Sequence, residues 1–176
     1  MDPAVLNATP ETDYHVPSEV SIGHVHLKVS DLEQAISFYC GVLGFELVAR
    51  FRNSAAFVSA GGYHHHIGLN TWESLGGTPA PRHHTGLYHV AIRYPTRRDL
   101  AMAVQRLLDA GISLRGASDH GVSIAVYLND PDGNGLELTW DRPREDWPRT
   151  PDGDIELTMS GPFDLDALLR EARGSV

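Results

Sequence analysis

The chain repeats itself, and that duplication limits what it can fold into. Gly23-His24-Val25-His26-Leu27-Lys28-Val29 opens one segment, and Tyr88-His89-Val90-Ala91-Ile92-Arg93-Tyr94 opens another. Each is an alternating, β-branched run headed by His-Val, the pattern of a strand. After the first, Ser30-Asp31-Leu32-Glu33 is a capping box. Leu32, Ala35, Ile36, Tyr39, Val42 and Leu43 then recur on one helical face before Gly44. After the second, Pro95-Thr96 precedes a helix carrying Leu100, Val104, Leu107 and Leu108, with Gly111 at its end. Strand-like runs follow each helix, at 45–51, 55–60 and 65–71, then at 112–116, 122–129 and 135–140. The halves finish alike, with Ile67-Gly68-Leu69-Asn70-Thr71-Trp72 against Leu136-Glu137-Leu138-Thr139-Trp140. His24 and His89 are 65 positions apart and Gly68 and Glu137 are 69, so the register holds within a few residues. The expected fold is α+β: two βαβββ modules, about 20–72 and 87–142, pairing as one domain with a cleft between curled mixed sheets.

The rest of the 176 residues is accessory. Residues 1–19 are expected to form an N-terminal arm, and 73–86 a Gly/Pro-rich linker. Residues 143–176 form a tail whose short helix, capped by Asp164, carries Leu165, Leu168 and Leu169. That helix either covers the cleft or pads the surface. No apolar run approaches the roughly 20 residues that span a bilayer. The first residues, MDPAVLNATPETDYHVP, lack the basic and apolar regions of a signal peptide. With one cysteine, Cys40, no internal disulfide can form, and a cytoplasmic location is expected. A formal charge of −9 and the lack of a basic stripe argue against nucleic-acid binding.

Against 14 lysines and arginines the chain carries 10 histidines, so their placement is informative. His24 and His89 hold equivalent repeat positions. Glu137 lies in an apolar strand, where an unpaired carboxylate is costly to bury. Two imidazoles and one carboxylate from three strands would form a facial triad that holds a divalent metal with open positions. A lone strand histidine is more often a half-buried packing residue, and His26, two residues on, competes with His24. Gly68 stands where symmetry would put a fourth ligand. Either it permits close packing, or it leaves one side of the metal open.

These features resemble the vicinal oxygen chelate superfamily, and within it the one-domain extradiol catechol dioxygenases, over about residues 20–142. The resemblance assigns the metal triad to His24, His89 and Glu137. Asp130-Pro131-Asp132-Gly133-Asn134-Gly135-Leu136-Glu137 is similar to the turn-and-ligand motif shared across the superfamily. His65 matches the dioxygenases' acid/base histidine, His120 their substrate-pocket histidine and Tyr127 their active-site tyrosine. Strict strand alternation would instead give His64 and His66 the face of Gly68, leaving the choice among the three open. The implied activity is ring cleavage of a small aromatic diol by O2, with Fe(II), or Mn(II) on the same ligands, as cofactor. Family members often pair as homodimers. The alternatives are a glyoxalase-like metal-dependent isomerase or lyase, and a non-enzymatic small-molecule (antibiotic) binding protein on the same fold.

Overall fold

A computed structural model describes residues 14–81, 83–159 and 161–173. The first module runs β1 (Val25–Lys28), α1 (Leu32–Ile36), β2 (Glu46–Phe51), β3 (Ala55–Ser59) and β4 (Ile67–Asn70). The second runs β5 (Val90–Arg93), α2 (Arg97–Asp109), β6 (Gly116–Asp119), β7 (Ser123–Asn129) and β8 (Gly135–Asp141). The two sheets have the same order, β1-β4-β3-β2 and β5-β8-β7-β6. In each, the first strand pairs parallel with the last and the other neighbours are antiparallel. The twofold βαβββ reading of the sequence is therefore what the chain adopts, as two open four-stranded sheets.

Local chemistry sets the helix boundaries. Asp31 caps α1 by accepting from Gln34 N, and Thr96 caps α2 by accepting from Asp99 N. Gly44 and Gly111 end the two helical segments at φ +87° and +73°, a region that favours glycine. Two expectations shift. The first helical stripe is not one α-helix, because Ser37–Val42 widens into a π-helix. The carbonyls of Gly41 and Val42 there accept from the Arg106 guanidinium of α2, at 2.9 and 3.0 Å. Of the run at 112–116, only Gly116 belongs to a strand. Its ladder to β7 begins at Gly116↔Tyr127, so β6 lies later than the alternation suggests.

One apolar core spans both modules, joining Val29, Tyr39 and Leu69 to Leu100, Leu107 and Leu138, all fully buried. Removing any of those leucine side chains should cost about 2–5 kcal/mol. A polar clasp reinforces the junction. Tyr39 Oη donates to Asp130 Oδ2 at 3.0 Å, and Ser30 N donates to Asp132 Oδ1 at 2.9 Å. Asp130 also accepts from the backbone N–H of Asp132 and Asn134, closing the turn before β8. The turn motif thus fixes the second module to the start of the first module's helix.

In the tail, Asp164 caps α3 (Leu165–Ala172), whose Leu168 and Leu169 are buried. It packs on α2, with Arg97 Nε 3.1 Å from Glu171. Among the described residues no helix is long and apolar enough to cross a membrane.

Candidate active site

The ladder of the second module builds most of the site. Tyr127 and Glu137 are cross-strand partners on β7 and β8, so their side chains leave the sheet side by side. His89, immediately before β5, places Nε2 2.9 Å from Glu137 Oε2. Its position is enforced from below, since a Cβ at Gly135 would run into the Tyr88 carbonyl and press on His89. From the end of β6, His120 offers Nε2 to the Tyr127 hydroxyl at 2.7 Å. His120 Nδ1 lies 2.6 Å from the Thr158 carbonyl. A carbonyl only accepts, so Nδ1 carries the proton and Nε2 accepts from Tyr127. Burial, then the Glu137 charge, push the Tyr127 phenol above its ordinary pKa. His89, His120 and Tyr127 line one cavity of about 360 Å³, walled on another side by Tyr88 and Met159. That volume suits a ligand of one or two rings.

The first module is arranged differently. His24, just before β1, is exposed and has the His65 ring at 4.3 Å and the His64 ring at 6.5 Å. β4 begins only at Ile67, so residues 64–66 precede the regular strand and its alternation does not bind them. His65 accordingly turns toward His24 and toward Phe57, 5.0 Å away. Partial burial first, then the surrounding imidazoles, hold His65 below the usual histidine pKa. His66 is spoken for: its Nδ1 lies 3.0 Å from Ser59 Oγ and 3.3 Å from Ala60 N. His26 pairs with Gly68 across β1 and β4, and a Cβ at Gly68 would meet its ring at 2.9 Å. Close packing under the His26 ring therefore accounts for this glycine.

Donors around a divalent ion at about 2.1 Å and right angles sit roughly 3 Å apart. The 2.9 Å separation of His89 Nε2 and Glu137 Oε2 matches one edge of such a shell. His89 Nδ1 is buried without a partner. Among the described residues, however, no three His, Cys, Asp or Glu side chains gather as a metal requires. His24 opens onto a separate cavity of about 530 Å³ beside β5, together with Phe45 and His66. One chain thus presents two of the three expected ligands together and the third elsewhere; it does not fit a whole three-ligand site. Thr158 and Met159 reach the pocket from an irregular tail without periodicity, so no pattern pointed to them.

Such a duplicated βαβββ domain with a His–Glu pair on the second module defines a class, and comparison identifies it. Residues 21–138 match the family model of the Glyoxalase/Bleomycin resistance protein/Dioxygenase superfamily, and the chain belongs to that superfamily. It is 38% identical over 158 residues to a catechol-2,3-dioxygenase of Bacillus subtilis, covering 89% of this chain and 54% of that one. It is 35% identical over 122 residues to a biphenyl-2,3-diol 1,2-dioxygenase of Rhodococcus globerulus, covering 68% and 63%. A glutathione transferase FosA of Serratia marcescens is 31% identical, covering 67% and 79%. The chain thus spans little more than half to under two thirds of those dioxygenases. Among solved structures, a superfamily domain from Frankia superposes with a TM-score of 0.60 at 25% identity, covering 71% of this chain and all of that one.

Proposed function

We propose that the protein is an extradiol dioxygenase that opens the ring of a catechol-type diol with O2, and that His89 and Glu137, the two expected ligands this chain brings together, would hold its Fe(II). One observation carries this reading: His89, Tyr127 and His120, picked out by the resemblance, line one cavity, with Glu137 against His89. Similarity to proteins named for catechol and biphenyl-diol cleavage supports the substrate class. When bound, a divalent metal of this class supplies a centre on which the diol and dioxygen meet.

The protein's own side chains supply the rest. Tyr127 lines the cavity beside its cross-strand partner Glu137, and His120 holds its hydroxyl. With its phenol raised above the ordinary value, Tyr127 stays protonated near pH 7 and donates to a substrate oxygen. His120, oriented through Nδ1 by the Thr158 carbonyl, accepts the Tyr127 hydrogen bond until a substrate oxygen takes its place. His65, neutral near pH 7, is the base for a diol hydroxyl. Tyr88 and Met159 wall the pocket with apolar surface that suits a ring.

Anaerobic loading with Fe(II), followed by a catechol panel in air, tests this reading. The expected result is one O2 consumed per diol and a yellow ring-fission product from at least one catechol. An iron-loaded protein that consumes no O2 with any catechol overturns it.

A further inference from the structure

We propose that the cavity of the second module selects diols whose ring carries a carboxylate, and that Arg115 is the residue that recognises it. The inference rests on the dioxygenase reading above and narrows its substrate class. Besides Arg115, the described side chains lining that cavity are apolar or carry imidazole and phenol groups, and none is a carboxylate. Glu137, the acid of the site, is engaged by His89. Arg115 thus supplies the lining's one permanent charge.

The chain holds this guanidinium in place without neutralising it. The Arg115 backbone N–H donates to the Tyr127 carbonyl at 2.7 Å, tying it to the strand that bears the site's phenol. Its Nη1 donates to Asn129 Oδ1 at 3.1 Å, and Asn129 is a neutral partner. At other margins of the same sheet, Arg93 and Arg142 are paired with Asp141 and Asp119. Among the described residues no carboxylate pairs with Arg115. A guanidinium presents a planar fork of donors that matches the two oxygens of a carboxylate.

Strand register sets the spacing. Tyr127 is opposite Glu137, and Asn129, two residues further along β7, is opposite Gly135. Tyr127 and Asn129 leave the same face of the strand, roughly 7 Å apart at the strand's rise per residue. A diol oxygen bonded to the Tyr127 hydroxyl therefore leaves the far side of its ring directed toward Asn129 and Arg115. A carboxylate attached there, directly or through one carbon, meets the guanidinium, while Tyr88 and Met159 wall the ring. The local cation also offsets the repulsion that an anionic substrate meets from a chain of formal charge −9.

Two measurements test this. Oxygen uptake by the iron-loaded protein gives kcat/KM for 3,4-dihydroxybenzoate, 3,4-dihydroxyphenylacetate and the neutral 4-methylcatechol, in wild type, Arg115→Gln and Arg115→Lys. Wild type is expected to prefer at least one acid. Because Arg115 is exposed, Arg115→Gln should lower the acid-to-neutral ratio about tenfold, mainly through KM. Arg115→Lys keeps part of the preference, and added NaCl erodes it only where a cation stands at 115. Calorimetry on the metal-free protein compares 4-hydroxyphenylacetate with 4-methylphenol, which are not diols, so binding is read without turnover. The acid is expected to bind more tightly, and Arg115→Gln to remove that advantage. If wild type prefers neither acid, or Arg115→Gln leaves the ratio unmoved, the anion site is overturned and the dioxygenase reading stands. If no catechol is cleaved, the dioxygenase reading fails and calorimetry alone decides. An acid that then binds no better than the phenol, or equally well to Arg115→Gln, overturns the anion site too.

Discussion

The two modules share a topology but differ in how finished their histidine sites are. In the second, the polar side chains are tied to one another: Thr158 sets His120, His120 sets Tyr127, and Glu137 faces His89. Glycine at 135 lets the Tyr88 backbone press close and fixes His89. In the first, His24 is exposed and its neighbours are other imidazoles. Duplication thus gave one pole of mutually hydrogen-bonded side chains and one of exposed, clustered imidazoles. The strand position that holds Glu137 in one module is Gly68 in the other, filled by the ring of His26.

Replacing the pair at the heart of the second module should have the largest effect. Glu137→Gln is expected to weaken metal binding by more than about a hundredfold. His64→Ala, on the exposed side of the first module, should change it by less than about threefold. Metal titration of both variants checks the contrast, and equal losses would break the distinction between the poles.

The next effect isolates the proton relay. Tyr127→Phe should leave metal content unchanged while lowering kcat about a hundredfold. Steady-state kinetics with metal analysis reads this, and an unchanged kcat would remove Tyr127 from the chemistry.

The glycines of the last strands sharpen the comparison on stability. Gly135→Ala meets backbone and should cost about 3 kcal/mol. Gly68→Ala meets only the His26 ring and should cost about 1 kcal/mol. A His26→Ala background should restore much of the loss at 68 and nothing at 135. Denaturant unfolding of the four variants gives the answer.

The smallest effect lies at the end of β6, next to His120 in sequence. Burial acts to raise the Asp119 carboxyl, but the Arg142 guanidinium and the Gly121 N–H outweigh it and hold it below its ordinary 3.8. A depressed folded-state value adds stability above the unfolded value and loses it as pH falls through the folded one. Asp119→Asn should therefore cost under about 1 kcal/mol at pH 7, since the pair is partly exposed. The gap to wild type should close below about pH 4, as unfolding at pH 7 and pH 3 would show.

Much of this architecture was legible in the sequence. The repeated His-Val strand openings, capping residues and matched strand ends dictated two βαβββ modules, because helical and strand periodicities differ and glycines punctuate them. The grouping of His89, His120, Tyr127 and Glu137 was also readable, by resemblance to a motif with fixed spacing. Pattern could not reveal that residues 112–115 lie outside a ladder, because alternation reports burial and not hydrogen-bond partners. Nor could it show that Gly68 shelters a ring, since packing depends on cross-strand register. The separation of His24 from Glu137 was hidden for a related reason. Equivalent repeat positions face each other only if the modules pair through their sheets. Here the core and the Asp130–Asp132 turn join them another way.

X-ray absorption at the iron edge of the Fe(II)-loaded protein tests the central claim most directly. The account predicts a shell with imidazole and carboxylate donors, the remaining positions being solvent that an added catechol displaces under anaerobic conditions. A shell without imidazole scattering, or one closed by four protein ligands and indifferent to catechol, would contradict it.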